Sequence, residues 1–244
     1  AVTMAQTVSD GALMRRAVAG HAQRDSAVRN EKGGACRGAL KDDSSGPTIG
    51  IPEEVFPDTR DGASADNSRD AIRELEKLGA KVVSVSLPSI KLSVPAYYVI
   101  APAEASANLS RFDGVRFGHR CDDPQDLEDL YKRSRSEGFG DEVKRRILVG
   151  AYALSAGYYD AYYRRAQQVR RLIRDDFARA FEKVDVLMGP TAPETAFKLG
   201  AKKDDPVSMY MADVFTLGVN LAGLPALSLP TGPSPTQLCS SRRL

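Results

Sequence analysis

The sequence predicts an α/β protein, and three stretches carry that prediction. Thr48-Ile49-Gly50-Ile51 is a short apolar run ended by Pro52 and reads as a buried strand. A helix opened by Ser68 and closed by Gly79 follows, and then the valine-rich strand Lys81 to Leu87. Strand, helix and strand in that order form a βαβ crossover, which makes the two strands parallel. Further on, the strands Val184 to Met188 and Ala226 to Leu229 alternate with helices.

Ahead of this unit, Ser9 is placed to cap a short helix over residues 10–19, with Leu13, Met14 and Ala17 on its apolar side. Residues 24–47 are rich in Gly, Ser, Asp, Lys and Arg without hydrophobic period, the pattern of a linker or surface loop. Within the helix after Ser68, Ile72, Leu75 and Leu78 recur at helical spacing. Past Pro95 the chain reads as helical over 97–111, 127–136, 141–154 and 158–182, with Pro102 weakening the first of these. In the last, Tyr159, Tyr162, Ala166, Val169, Ile173, Phe177 and Phe181 recur every three or four residues.

Arg164, Arg165, Arg170, Arg171 and Arg174 lie on the other side of that helix, balanced by Asp175, Asp176 and Glu182. This is the pattern of a solvated face rather than an RNA surface. Tyr158, Tyr159, Tyr162 and Tyr163 read as core packing rather than a stacking platform. Val184 to Met188 runs into the turn Gly189-Pro190-Thr191-Ala192-Pro193. Asp205-Pro206 opens a helix to about Thr216, and Gly223-Leu224-Pro225 leads into the last strand.

Composition narrows the function classes. A net charge of +2 gives no basis for a nucleic-acid surface. Cys36, Cys121 and Cys239 are far apart, odd in number and outside metal-ligand spacing, so they read as free thiols of a reducing compartment. A histidine triad or zinc site would have to use His21 or His119. No apolar run approaches the roughly 20 residues that span a bilayer. Asp10, Arg15 and Arg16 interrupt the first twenty residues, which therefore lack a secretory apolar region. The expectation is a protein of the cytoplasm or an organelle matrix, and the initial Ala suggests a chain cut from something longer.

Three blocks carry a resemblance: YKRSRSEGFGDEVKRRILVGAYALSAGYYDAYYRRAQQVRRLIRDDFARAF, VDVLMGPTAP and DDPVSMYMADVFTLGVNLAGLP. In order and spacing they resemble the later half of an amidase signature protein, in the branch that forms the glutaminase subunits of tRNA-dependent amidotransferases. The resemblance runs from about Thr7 to Gly232. It implies a partial amidase-signature fold with a mixed central sheet flanked by helices. Residues 1–232 would be its C-terminal portion, and residues 233–244 a polar tail unrelated to the family.

In that family a Lys, a bridging Ser and a nucleophilic Ser hydrolyse the amide through an acyl-enzyme. The glycine- and serine-rich signature that supplies them does not occur in these residues, so the resemblance places catalysis outside this chain. Asp43-Ser44-Ser45-Gly46 lacks the surrounding glycines and reads as loop. What the resemblance does assign here is substrate recognition. Arg146 matches the arginine that clamps the α-carboxylate of glutamine, Asp213 the residue that receives its α-ammonium, and Tyr97 a third wall.

The residues themselves add that Asp213 lies in the apolar run Met209 to Phe215, where a carboxylate must be paired or at a site. Asn220 and Leu221 to Pro225 read as a turn beside the pocket. Thr191 either faces the site or belongs to a rigid turn. The implied reaction releases ammonia from glutamine and passes it to a partner subunit, which amidates Glu-tRNA(Gln) using ATP. The tRNA is held only through the partner, and this chain needs no cofactor or metal of its own.

Alone, the chain is expected to be inactive and poorly soluble, with unpaired sheet edges. Two alternatives stand beside this reading. One is a stand-alone amidase of the same family, and the other is a non-catalytic fragment that only binds a partner or glutamine.

Overall fold

A computed structural model describes residues 3–24, 40, 46–56, 63–194, 196–201, 206–231 and 237–242. Its centre is a five-stranded mixed sheet in the order β2-β1-β3-β5-β4. The strands are β1 (Thr48–Pro52), β2 (Lys81–Val85), β3 (Val186–Pro190), β4 (Ala226–Pro230) and β5 (Gln237–Arg242). β1 pairs in parallel with β2 and with β3, while β5 pairs antiparallel with both β3 and β4.

The first helix, α1 (Val8–Val18), is capped by Thr7, whose side chain accepts from the Asp10 N–H. The cap therefore sits two residues before Ser9. No residue of α1 is buried, so Leu13 and Met14 contribute nothing to a core. The crossover helix α2 (Ala63–Lys77) begins five residues before Ser68. Its first turn is polar and alanine-containing, which favours helix without showing an apolar stripe. Ile72 is buried and Leu75 packs beneath the sheet, but Leu78 lies past the helix end and is exposed.

The opposite sheet face is covered by α3 (Ser93–Leu109) and α6 (Arg165–Ala180). The main core joins Leu87, Ile100, Ile173, Phe177, Phe181 and Leu187 between these helices and the strands. Burying such side chains contributes roughly 1.5–3 kcal/mol each, which makes this cluster the principal support of the fold. Pro102 lies inside α3 without ending it. Between these two helices come α4 (Leu127–Gly138), α5 (Asp141–Ala153) and a π-helical turn, Tyr159–Arg164.

That π turn separates the observed structure from the single helix expected over 158–182. A π turn holds more residues per turn than an α-helix, so it rotates what precedes it off the face that follows. Ala166, Ile173, Phe177 and Phe181 are buried as their spacing predicts, whereas Tyr158, Tyr159 and Tyr162 are exposed. The tyrosines are not core. The Tyr152, Tyr158 and Tyr162 rings pack in succession at 4.3 and 5.9 Å, and the Tyr163 hydroxyl donates to Glu104 at 2.6 Å.

The arginine face is partly charge-balanced. Arg171 and Arg174 both reach Asp175, and Arg164 reaches Asp160. Asp176 does not belong to that face: it is buried, accepts from the Ser89 N–H at 2.7 Å and pairs with Arg179. Arg170 donates to the Leu221 carbonyl at 2.8 Å, which ties α6 to the helix Val214–Ala222.

Two further expectations change. The helix expected over 205–216 is two helices, α7 (Pro206–Met211) and α8 (Val214–Ala222), and the break falls at Ala212-Asp213. Residues 237–242, read from sequence as part of a polar tail, form β5. Their backbones pair with two strands at once, a role that does not require an alternating apolar pattern. Residues 24–47 lie almost entirely outside the described residues, as do Cys36 and Ser44-Ser45. No described helix is long and apolar enough to cross a membrane.

Candidate substrate-recognition site

The site is organised by the seam between α3 and α5. At Gly150 of α5 a Cβ would lie 1.9 Å from the Pro102 carbonyl oxygen and 2.8 Å from Ser106 Cβ, so only glycine allows this approach. Four residues earlier on each helix, about one turn, stand Arg146 on α5 and Tyr98 on α3. The close approach one turn away therefore fixes where these two side chains emerge.

Asp213 reaches the same place from the other end of the chain. It sits at the break between α7 and α8, where its carbonyl accepts from the Thr216 and Leu217 N–H groups and from the Thr216 hydroxyl. It is exposed, not buried in an apolar run, because the break turns this position out of both helices. Its side chain makes no cap hydrogen bond.

One tyrosine records the convergence of these groups. The Tyr98 hydroxyl is pushed up from 10.0 to about 12. Burial is the largest cause, and the Asp213 carboxylate adds to it. Tyr97 and Tyr210 add further, while the Arg146 guanidinium acts in the opposite direction. A cation and an anion 67 residues apart in sequence thus both lie within electrostatic reach of one phenol. Arg146 and Asp213 are two of the three side chains expected from the sequence to form a site, and each acts electrostatically on Tyr98.

The third, Tyr97, is divided between core and site. It is partly buried against the main core and meets Tyr98 edge-on at 5.0 Å. Tyr98 instead faces Tyr210 of α7, with ring centroids 4.1 Å apart. Tyr98 and Tyr210 were not singled out from the sequence. The Tyr97-Tyr98 doublet was the available signal, since adjacent helical residues point about 100° apart and both cannot face the core.

Arg146 is paired with Glu142 at 3.4 Å, one turn back on α5, and both side chains are about half exposed. Thr191 faces Ser228 across the strands, with hydroxyl oxygens 3.2 Å apart. Asn220 donates to the Thr216 carbonyl, and Gly223 ends α8 in the left-handed conformation at φ 73°, so this segment is a helix-terminating turn. At the carboxyl ends of β1, β2 and β3 lies a cavity of about 30 Å³ lined by Val55, Leu87, Ile90, Met188 and Phe215. It has room for a water or two but not for an amino acid. Among the described residues, no group of three His, Cys, Asp or Glu side chains is placed to hold a metal.

The chain belongs to the amidase family, whose model, described as Amidase, matches residues 2–239. Within that family it is 89% identical over 229 residues to a glutamyl-tRNA(Gln) amidotransferase subunit from Alcanivorax borkumensis. That match covers 94% of this chain and 47% of the relative. The corresponding subunit of Marinobacter nauticus is 59% identical over the same share. A crystal structure of the Thermotoga maritima subunit superposes with a TM-score of 0.72 at 36% identity, over 98% of this chain and 47% of that one. A bacterial aryl acylamidase, at 23% identity and a TM-score of 0.68, shares the fold. The chain spans about half the length of the curated relatives it matches.

Proposed function

We propose that this chain is the later portion of a glutaminase subunit of a tRNA-dependent amidotransferase, and that it supplies the part of the pocket that grips the amino-acid end of glutamine. The observation that supports this reading is that Arg146 and Asp213, far apart in sequence, both act electrostatically on Tyr98. Glutamine presents a carboxylate and an ammonium at the end away from its reacting amide. A guanidinium binds the carboxylate through two parallel charge-assisted hydrogen bonds, and an aspartate accepts from the ammonium. A neutral amide has no use for such a pair, which favours glutamine over the substrates of a stand-alone amidase.

In this reading the Lys, bridging Ser and nucleophilic Ser come from outside these residues, and the chain alone does not turn over glutamine. Released ammonia passes to another subunit, where ATP drives amidation of Glu-tRNA(Gln). The tRNA touches that partner and not this chain, which carries no cofactor, and the assembly works in the cytoplasm or an organelle matrix. The relatives' designation as one subunit of an amidotransferase supports the existence of such partners.

The test uses the Alcanivorax borkumensis subunit with its matching 229 residues replaced by this chain. Asp213→Ala is expected to reduce kcat/KM for glutamine by about 2–3 kcal/mol, since a charge-assisted contact is lost. Hydrolysis of a simple aliphatic amide should be unchanged. Equal loss on both substrates, or none on glutamine, removes Asp213 from the site.

A further inference from the structure

We infer that Tyr98 is a positioning residue whose ring, packed against Tyr210, sets the separation between Arg146 and Asp213. The inference rests on the recognition site proposed above and adds to it the element that holds its spacing.

Arg146 and Tyr98 emerge together from the α3–α5 seam, one turn from the contact of Gly150 with the Pro102 carbonyl. Asp213 belongs to a different part of the chain. Two contacts bracket it. On the far side, Gly218 of α8 is pressed against the start of α3, where a Cβ would come within 3.0 Å of Ile90 and 3.4 Å of the Ser93 hydroxyl. On the near side stands Tyr210, three residues before Asp213, whose carbonyl accepts from the Asp213 N–H at 3.4 Å. The Tyr210 ring rests on Tyr98 at 4.1 Å.

The two anchors differ in kind. Gly218 places α8 as a whole, while the tyrosine contact sets the short helix α7 and the break itself. A six-residue helix has little stability of its own, so its orientation comes from what it docks against. Tyr98 thus belongs to the arginine's seam and also touches the aspartate's segment. An aromatic pair of this geometry shifts an equilibrium by about two- to ten-fold beyond the effect of its buried area, enough to bias the break without being needed for the core.

The experiment uses the same complete chimeric subunit. Tyr98→Leu removes the ring, Tyr98→Phe keeps it, and Tyr210→Leu removes the contact from the other side. The expected result is a KM for glutamine raised about three- to ten-fold by Tyr98→Leu, with kcat changed by less than about two-fold. Tyr98→Phe is expected to rescue KM, and the Tyr98→Leu/Tyr210→Leu double variant to be no worse than either single one. An unmoved KM, additive losses, or Tyr98→Phe as damaging as Tyr98→Leu overturns the inference. Should Tyr98→Leu fail to fold, Tyr210→Leu carries the same comparison. If the unsubstituted chimera releases no ammonia from glutamine, the proposed function falls and this inference falls with it. If it does and Tyr98→Leu behaves like it, only this inference falls.

Discussion

If Arg146 and Asp213 flank Tyr98, removing each charge must move that phenol's titration in opposite directions. The hydroxyl is pushed up from its ordinary 10.0 to about 12. Burial accounts for the largest share, so neither charge removal should abolish the shift. A single nearby charge acting on a partly buried phenol contributes on the order of 1 kcal/mol, or about three-quarters of a pKa unit. Asp213→Asn is therefore expected to bring Tyr98 down by about half a unit to one unit. Arg146→Gln should raise it by a smaller amount, because the guanidinium is the weakest of the causes.

The assay is a pH titration of ring-labelled tyrosines by NMR, with Tyr98→Phe used to assign the resonance. The protein contains its own control. Tyr152 is also pushed up to about 12, but its leading cause is a hydrogen bond with Tyr158, so neither charge variant should move it. Because the folded Tyr98 value is raised, its contribution to stability is full below about pH 10 and is lost as pH rises toward 12. The titration is therefore read from its onset. Shifts of the same sign in the two variants, or no shift in either, would mean that the two charges do not meet around this ring. The zwitterion clamp would then have no geometric basis.

Two predictions concern the stability of the fold. Gly150→Ala forces a Cβ into the Pro102 carbonyl and should destabilise the chain by about 2–3 kcal/mol, read as a lower urea midpoint with loss of the Tyr98 shift. Asp113 is held well below the usual carboxylate range, chiefly by hydrogen bonds from the Arg116 N–H and guanidinium and from the Val115 N–H. Its contribution is therefore present above about pH 4 and lost as pH falls through the depressed folded value. Asp113→Asn should lower Tm at neutral pH, and the gap to the unsubstituted chain should close in acid. A gap that widens in acid would reverse the assignment.

The sequence made the parallel βαβ unit legible, because its strands are apolar runs bounded by Pro and Gly and its helix carries a 3.6-residue stripe. It was equally informative about Ala166, Ile173 and Phe177, whose spacing and burial agree. What it concealed was set by contacts between distant segments. The π turn leaves no mark in the apolar spacing, so Tyr159 and Tyr162 kept their period and lost the core. The break at Asp213 depends on where α7 and α8 dock, and β5 depends on backbone pairing alone. Arg146 and Asp213 were proposed through resemblance, and the aspartate also through its apolar neighbours in sequence, although it proves to be exposed. The role of Tyr98 required coordinates, since sequence does not say which member of a tyrosine doublet faces the core.

A zwitterion clamp depends on what each charge must give up to bind. In the proposed clamp Arg146 exchanges its pair with Glu142, an exposed contact one turn away that is worth about 0.3–0.5 kcal/mol. Hydrogen bonds from a guanidinium to a substrate carboxylate contribute about 1.5–3 kcal/mol, so the exchange favours the substrate. Asp213 surrenders no helix cap, because its side chain makes none and its carbonyl supplies the bonds that hold the turn. With both groups open to water, neither binds a singly charged ligand strongly. A molecule carrying both charges at the matching separation engages the second group at high effective concentration once the first is held. Selectivity then resides in the separation of the two charges more than in the strength of either. For that reason a neutral ring contact between Tyr98 and Tyr210 can govern an electrostatic choice.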